Sequence, residues 1–490
     1  MRYTYLPGDV LIIGLFSIRQ YGDTPYSCGH IRRETNDIIT ASAFMQSVLQ
    51  KRIETEINFG AIAIDDCYSG MNTSAYLTEL FTKQSFITDP QTNEIINFDH
   101  VVSIVGALSS GVTLYLADMA TSLGIPMISY SASSPDLDNK VRYPYFLRTV
   151  PSDNLQVRGM IEMLYDLTVT HVGLLYIDDA YGRAGKDALV KEASSRGICV
   201  EETIAMTQLM DDAEIESVIN QLFKQQVRVV LFFSIDSIAR RLLEIINQGE
   251  YKRQLTFISS DGWGTNQNLV NGAVGLHSHG SIVFTLDTKA ALGQGYKEYL
   301  SSLNMTQTEL NYWIPNFFED VHDCDFKTSF EKYSGTICKD DQLSTSTTLS
   351  SALVDSLYAD QRGIHTKMAV HAATEGYKAY CSKTSGCTPA LARSNIDHYV
   401  QDIKTVEIMN ANVFNDNGNG NIAFTIYNIQ LKDEGNKYVK VPTSFYRFIY
   451  YLSVIRYQLS LVLFLYVWLC VCVCVFKCKD MCFLDYTYSF

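Results

Sequence analysis

Short apolar runs rich in β-branched residues alternate with helix-length amphipathic segments from Val10 to Thr285, and this alternation leaves few folds open. Runs that are apolar throughout suit strands buried on both faces of a parallel sheet, and parallel neighbours must be joined by a crossover, usually a helix. The expectation is an α/β protein with two such sheets. In the first series, the run from His100 to Gly106 leads through Ser109-Ser110-Gly111 into a segment with Val112, Leu116, Met119, Ala120 and Leu123 on one helical face. Ile125 to Tyr130 reads as the next strand. In the second series, His171 to Ile177, Arg228 to Ser234 and Gln254 to Ser259 read as strands, and Gly182 to Ser195 and Ile238 to Asn247 as helices. Farther on, Thr366 to Ala379 reads as a helix, Asn415 to Gly420 as a turn, and Asn421 to Gln430 as a strand.

Ligands of open α/β sheets bind beyond the carboxyl ends of the strands, so two facing sheets would make a cleft. Several polar residues fall at such ends. Ser110 stands between a strand and a helix, where unpaired N–H groups favour an anion, although one serine of the pair serves as well as a simple N-cap. Ser131 and Ser133 follow the next strand and would face the same crevice. Asp153, Asp261 and Tyr181 also lie at loop entrances. The two acids could be ordinary cap or turn residues, and the tyrosine ring could lie over an ammonium group.

The formal net charge of −14 and the lack of Lys/Arg clusters exclude nucleic-acid binding as the main activity. Of twelve cysteines, seven are scattered as far as Cys387 with no CxxC pair and no Cys/His zinc spacing, so disulfides in an oxidising compartment are expected, with no metal site and no cofactor. Asn72 and Asn304 head N-glycosylation sequons. No secretory signal precedes the strand at Val10, and an uncharged run from Leu459 to Phe476 is at the short end of a bilayer span.

Taken in order, Tyr130 to Leu137 (YSASSPDL), Tyr143 to Asp153 (YPYFLRTVPSD), Ala180 to Gly182 (AYG) and Ser260 to Trp263 (SDGW) resemble the metabotropic glutamate receptors. Gly14 to Phe16 (GLF) and Trp313 to Phe318 (WIPNFF) extend the similarity, which runs from about Gly8 to Gln430. It implies a bilobed, periplasmic-binding-protein-like (Venus flytrap) fold: lobe 1 over 8–153 and 285–410, lobe 2 over 154–284 and 411–440, with a hydrophobic low-complexity tail at 445–490. It also implies that Ser110 and Ser133 hold a ligand α-carboxylate, that Ser131 lines the same place, and that Asp153, Tyr181 and Asp261 receive the α-ammonium. Lys367 matches the family's lysine for the distal carboxylate of glutamate. The family's arginine at the start of its first long helix is missing at Ile38-Ile39-Thr40. The implied disulfides are Cys28 with Cys67, Cys324 with Cys338, and Cys381 with Cys387. Cys199 matches a cysteine that pairs outside the clamshell, and Ser85 to Asn97 lacks the family's intersubunit cysteine, leaving a noncovalent homodimer through lobe 1.

The reading that follows is an extracellular amino-acid-binding domain. Its parent receptor would carry the seven-helix, G-protein-coupling domain, and this chain would be secreted or held by a single span. A receptor or decoy for another small ligand is the alternative. An enzyme is not expected: the chain has no P-loop, HExxH or GxSxG motif.

Overall fold

A computed structural model describes residues 2–441 apart from 25–26, 33–35, 250–254, 288–289, 306–307, 309, 327–334, 340–347 and 433–434. The apolar run Leu459 to Phe476 and the tail at 445–490 lie outside the described residues. The chain divides into two compact units, the first built from the chain up to Ser152 together with Leu286–Ala423, the second from Asp153–Thr285 together with the chain from Phe424.

The first unit is built on a six-stranded sheet. In chain order its strands are β1 (Tyr3–Leu6), β2 (Val10–Phe16), β3 (Phe59–Asp65), β4 (Val101–Val105), β5 (Met127–Ser129) and β6 (Phe146–Arg148). Across the sheet they lie in the order β1-β3-β2-β4-β5-β6, parallel except for β1 on the edge. Every residue of β2, β3 and β4 is buried. Period-two geometry sends Val10, Ile12 and Phe16 into one apolar cluster, with the Asp37–Glu54 and Arg362–Lys383 helices, and Leu11, Ile13 and Leu15 into another, with Leu77 and Leu116. Helices therefore cover both faces, which is why these strands read as unbroken apolar runs. β5 is shorter than the sequence suggests because Pro126 has no N–H for the ladder, although its carbonyl accepts from Ile104 N at 2.9 Å.

A seven-stranded sheet organises the second unit: β7 (His171–Ile177), β8 (Cys199–Met206), β9 (Val229–Phe233), β10 (Thr256–Ser259), β11 (Ile282–Leu286), β12 (Phe424–Lys432) and β13 (Gly435–Lys440). Their order is β8-β7-β9-β10-β11-β12-β13, with the first five parallel and β12 and β13 antiparallel. The alternation repeats here. Leu175, Val230 and Phe232 enter one core cluster and Leu174, Leu231 and Phe233 the other.

Disulfides join Cys28 to Cys67, Cys324 to Cys338 and Cys381 to Cys387, all in the first unit, and Cys199 is not among the bridged cysteines. Among the described residues no helix is long and apolar enough to cross a membrane.

Gly14 shows how tightly helix and sheet meet. A Cβ there would sit 2.7 Å from ring atoms of both Phe16 and Phe44. Gly14→Val should therefore destabilise the protein by about 1–3 kcal/mol through overpacking. Urea denaturation checks this, and an unchanged midpoint would show that the rings yield freely.

Candidate functional site

In the first unit, two serines of the Ser109-Ser110-Gly111 turn divide the work. Ser109 is the N-cap of the Ser110–Leu123 helix, its hydroxyl accepting from Gly111 N at 3.2 Å. Ser110 is left to face the following loop, where its buried Oγ accepts from Ser134 N at 3.2 Å. Ser129, at the end of β5, accepts from the N–H groups of Ser131 (3.2 Å) and Ala132 (2.8 Å) and so bends the chain carrying Ser131 and Ser133. Ser110, Ser131 and Ser133 are thus brought together by loops at the carboxyl ends of β4 and β5, beside a helix N-terminus whose dipole favours an anion.

Arg148 holds this loop in place. Fully buried at the end of β6, it donates from Nη1 to the carbonyls of Ala132 (3.1 Å) and Ser134 (2.9 Å), from Nη2 to Asp138 Oδ1 (2.6 Å), and from Nε to Asn419 Oδ1 (2.7 Å). Asn419 arrives on the Asn415–Gly420 turn, in which Asn415 Oδ1 accepts from Asn417 N and Asn419 N. Sequence reasoning gave Arg148 no role, since a lone arginine next to a strand carries no signal of its buried partners.

Acidic groups gather at the strand ends of the second unit. Asp153, fully buried, begins the Asp153–Asp166 helix, and one turn on Gln156 donates from Nε2 to Asp153 Oδ1 (3.2 Å) and to Asp261 Oδ1 (3.0 Å). The carbonyl oxygen of the same amide accepts from Asp261 N at 2.7 Å. The Tyr181 hydroxyl lies 2.9 Å from Ser260 Oγ and 3.2 Å from Asp261 Oδ1, with its ring 4.7 Å from that of Phe233. Burial raises the pKa of the Asp261 carboxyl, while hydrogen bonds from Gln156, Tyr181 and backbone N–H groups pull it back. Burial, then the carboxylates of Asp261 and Asp153, hold the Tyr181 hydroxyl protonated far above its usual range. Among the described residues no Lys or Arg is paired with Asp261. The group can accept hydrogen bonds and positive charge from a cation.

Gln156 is the member that the sequence does not announce. A glutamine inside a helix looks like any solvated side chain, and only its spacing of one turn from Asp153 hinted at contact.

Lys367 is placed elsewhere. It lies in the second turn of the Arg362–Lys383 helix, half-buried in a groove of ≈290 Å³ lined also by Ser47, Gln50, Lys51, Glu54 and His371, and none of Ser110, Ser131 and Ser133 lines that groove. Burial lowers its pKa and the Glu54 carboxylate raises it. At the start of the Asp37–Glu54 helix, whose far end lines the groove, Ile38, Ile39 and Thr40 are buried, and Asp37 before them is fully buried and ion-paired to Arg32 (3.2 Å) and Arg362 (3.3 Å). Two guanidinium groups thus reach the start of this helix from other segments. They lie near Tyr130, whose hydroxyl is raised well above its usual range by burial and by Asp37 and Asp66, with Arg362 and Arg32 opposing. Asn72 occupies the first turn of the Gly70–Phe81 helix, half-buried, and Asn304 bridges to Thr348.

The receptor family ligand binding region matches residues 46–432, and the chain belongs to that family. It is a ligand-binding region and not an enzyme. Metabotropic glutamate receptor 4 of Rattus norvegicus is similar, with 24% identity over 467 residues, 89% of this chain and 49% of that protein. The metabotropic glutamate receptor of Drosophila melanogaster is 26% identical over 337 residues (65% and 34%), and metabotropic glutamate receptor 6 of Mus musculus 22% over 457 residues (87% and 51%). The chain spans about half the length of the two mammalian relatives or less of the insect one.

Asp66 gives a stability test next to this site. It is fully buried beyond the end of β3, and burial pushes its carboxyl up to about 7, with the Ser17 hydroxyl and Tyr68 N–H opposing and the carboxylates of Asp65 and Asp37 adding. A carboxyl whose folded pKa is raised binds its proton more tightly when folded, so its contribution is lost as pH rises from the unfolded value near 3.8 through about 7. By pH 8 that costs up to about 4 kcal/mol. Asp66→Asn should flatten the fall in stability between pH 5 and pH 8, measured by urea denaturation at both. An identical pH dependence in the two proteins would show that Asp66 ionises freely when folded.

Proposed function

We propose that this chain is the extracellular ligand-binding part of a metabotropic-glutamate-type receptor, taking L-glutamate or a related α-amino acid and closing on it to drive G-protein-coupled signalling through a longer parent. In this reading Ser110, Ser131 and Ser133 receive the α-carboxylate, and Asp153, Tyr181 and Asp261 the α-ammonium. The carrying observation is the Asp153–Gln156–Asp261 arrangement: two carboxylates tied to one amide, beside a tyrosine hydroxyl, form an acceptor set matched to the three donors of an ammonium group. Family membership and the three disulfides support an extracellular setting. Glycans on Asn72 and Asn304, and a noncovalent homodimer, belong to the same reading.

Titration calorimetry against a panel of amino acids and their deaminated analogues tests it. Amino acids should bind and the analogues should not, and Asp261→Ala should cost roughly 2–4 kcal/mol, about 30- to 1000-fold in affinity. Undiminished binding by that variant removes Asp261 from the site.

Recognition of a distal carboxylate falls to Lys367 in this proposal. The placement of Arg32 and Arg362 supports a second reading, in which a guanidinium takes that role or the preferred ligand is another amino acid. Glutamate should be preferred over glutamine by about fivefold to a few hundredfold, the range of one charge pair from solvated to desolvated. Lys367→Ala should erase that margin. If Arg362→Ala erases it and Lys367→Ala does not, the guanidinium reads the ligand side chain. A parent protein that prefers a neutral amino acid points to the receptor or decoy for a different ligand.

A further inference from the structure

Two helices of the first unit turn matching stripes toward one groove. From the Asp37–Glu54 helix come Ser47, Gln50, Lys51 and Glu54, and from the Arg362–Lys383 helix Ile364, Lys367, Met368 and His371, each set at the i, i+3, i+4, i+7 spacing of a single helical face. Facing stripes of this kind in a core are apolar and close on each other. Here they are mixed, and they enclose a cavity of ≈290 Å³ with Ile408 at its side. Ile364 and Met368 are buried and Ile408 is half-buried, so the space offers apolar wall as well as charge.

Its charges do not balance. Lys51 is held by Glu54 Oε2 and Glu375 Oε1, each at 3.0 Å, and Glu375 is shared with Lys378 at 3.7 Å. Burial, then the Lys51 ammonium, lowers the pKa of His371, whose neutral ring lies with Nε2 3.2 Å from the Glu407 carbonyl oxygen. Lys367 is half-buried, and among the described residues its ammonium has no ion pair or hydrogen bond and meets only the field of Glu54. Three ammonium groups (Lys51, Lys367, Lys378) thus face two carboxylates (Glu54, Glu375), a surplus of one positive charge.

We propose that this groove is a second binding site, for a small monocarboxylate with a short apolar tail. Lys367 pairs with the carboxylate, and Ile364, Met368 and Ile408 cover the tail. A surplus of one charge suits a monoanion, whereas a phosphate dianion would bring a second negative charge up to Glu54. The volume is at the small end for a small-molecule site. None of Ser110, Ser131 and Ser133 lines the groove, so it is not the place that they form. The inference rests on the reading in which a guanidinium, and not Lys367, meets the side chain of the amino acid.

The test is saturation-transfer NMR on the full chain with its disulfides intact, using hexanoate as the probe and hexanol and acetate as controls. Hexanoate should bind with a millimolar Kd, as expected of a ligand of about eight heavy atoms, and each control at least about fivefold more weakly. Lys367→Met keeps the stem and removes the charge, and it should weaken hexanoate about fivefold or more. Ile408→Asp should do the same, while Ser110→Ala and saturating L-glutamate should leave hexanoate binding unchanged. Absence of binding overturns the proposal, and so does binding that neither Lys367→Met nor Ile408→Asp weakens. Displacement of hexanoate by L-glutamate overturns it too, because Lys367 then belongs to the amino-acid site. Should L-glutamate bind nowhere, the hexanoate series still decides the question, so the two readings fail separately.

Discussion

A single buried cation, Arg148, organises the serine-bearing edge of the first unit. With no solvent, Arg148 must have its charge met by protein oxygens, and breaking one partner of such a buried arrangement costs several kcal/mol. Its acceptors come from three separate stretches: the Ala132–Ser134 loop, Asp138, and Asn419 on a turn far along the chain. Asp138 is shared further, accepting from Ser152 Oγ at 2.6 Å and Asn419 Nδ2 at 2.8 Å. The serine loop therefore has a fixed shape because a guanidinium behind it has fixed geometry. Ser110 then meets that loop from the neighbouring strand-to-helix turn.

The second unit reverses the sign. Its strand ends concentrate carboxylates and hydroxyls, and the bidentate amide of Gln156 holds Asp153 and Asp261 together in a medium where burial alone would favour protonation. Like-charged groups kept close together are a cost to stability that a bound cation would relieve. Among the described residues no lysine or arginine is placed against Asp261 to neutralise it.

Burial of charge also sets the character of the first unit's helix start. Asp37, Arg32, Arg362 and Asp360 form a connected set, with Asn36 Nδ2 donating to Asp360 Oδ2 at 2.5 Å. The absence of a basic residue at Ile38 to Thr40 therefore does not leave that end of the helix without positive charge. It changes which segments supply it.

The α/β class and most of its elements were legible in the sequence, since a strand buried on both faces leaves an apolar run and a helix leaves a stripe; β7 matches its sequence reading end to end, while other boundaries moved, as where the helix read from Thr366 to Ala379 spans Arg362–Lys383 and the strand read from Asn421 begins at Phe424. Ser110, Asp153, Tyr181 and Asp261 stood out as candidates because strand ends and short motifs mark them. The roles of Gln156, Arg148 and Arg362 were not. Each acquires its meaning from partners brought close only by folding, as when Gln156 meets Asp261 across 105 residues or Arg148 meets Asn419 across 271. Local periodicity is written along the chain because it reflects which face each residue buries. Hydrogen-bond partnership between distant segments is not, because it depends on strand register and on the direction in which a side chain leaves its helix.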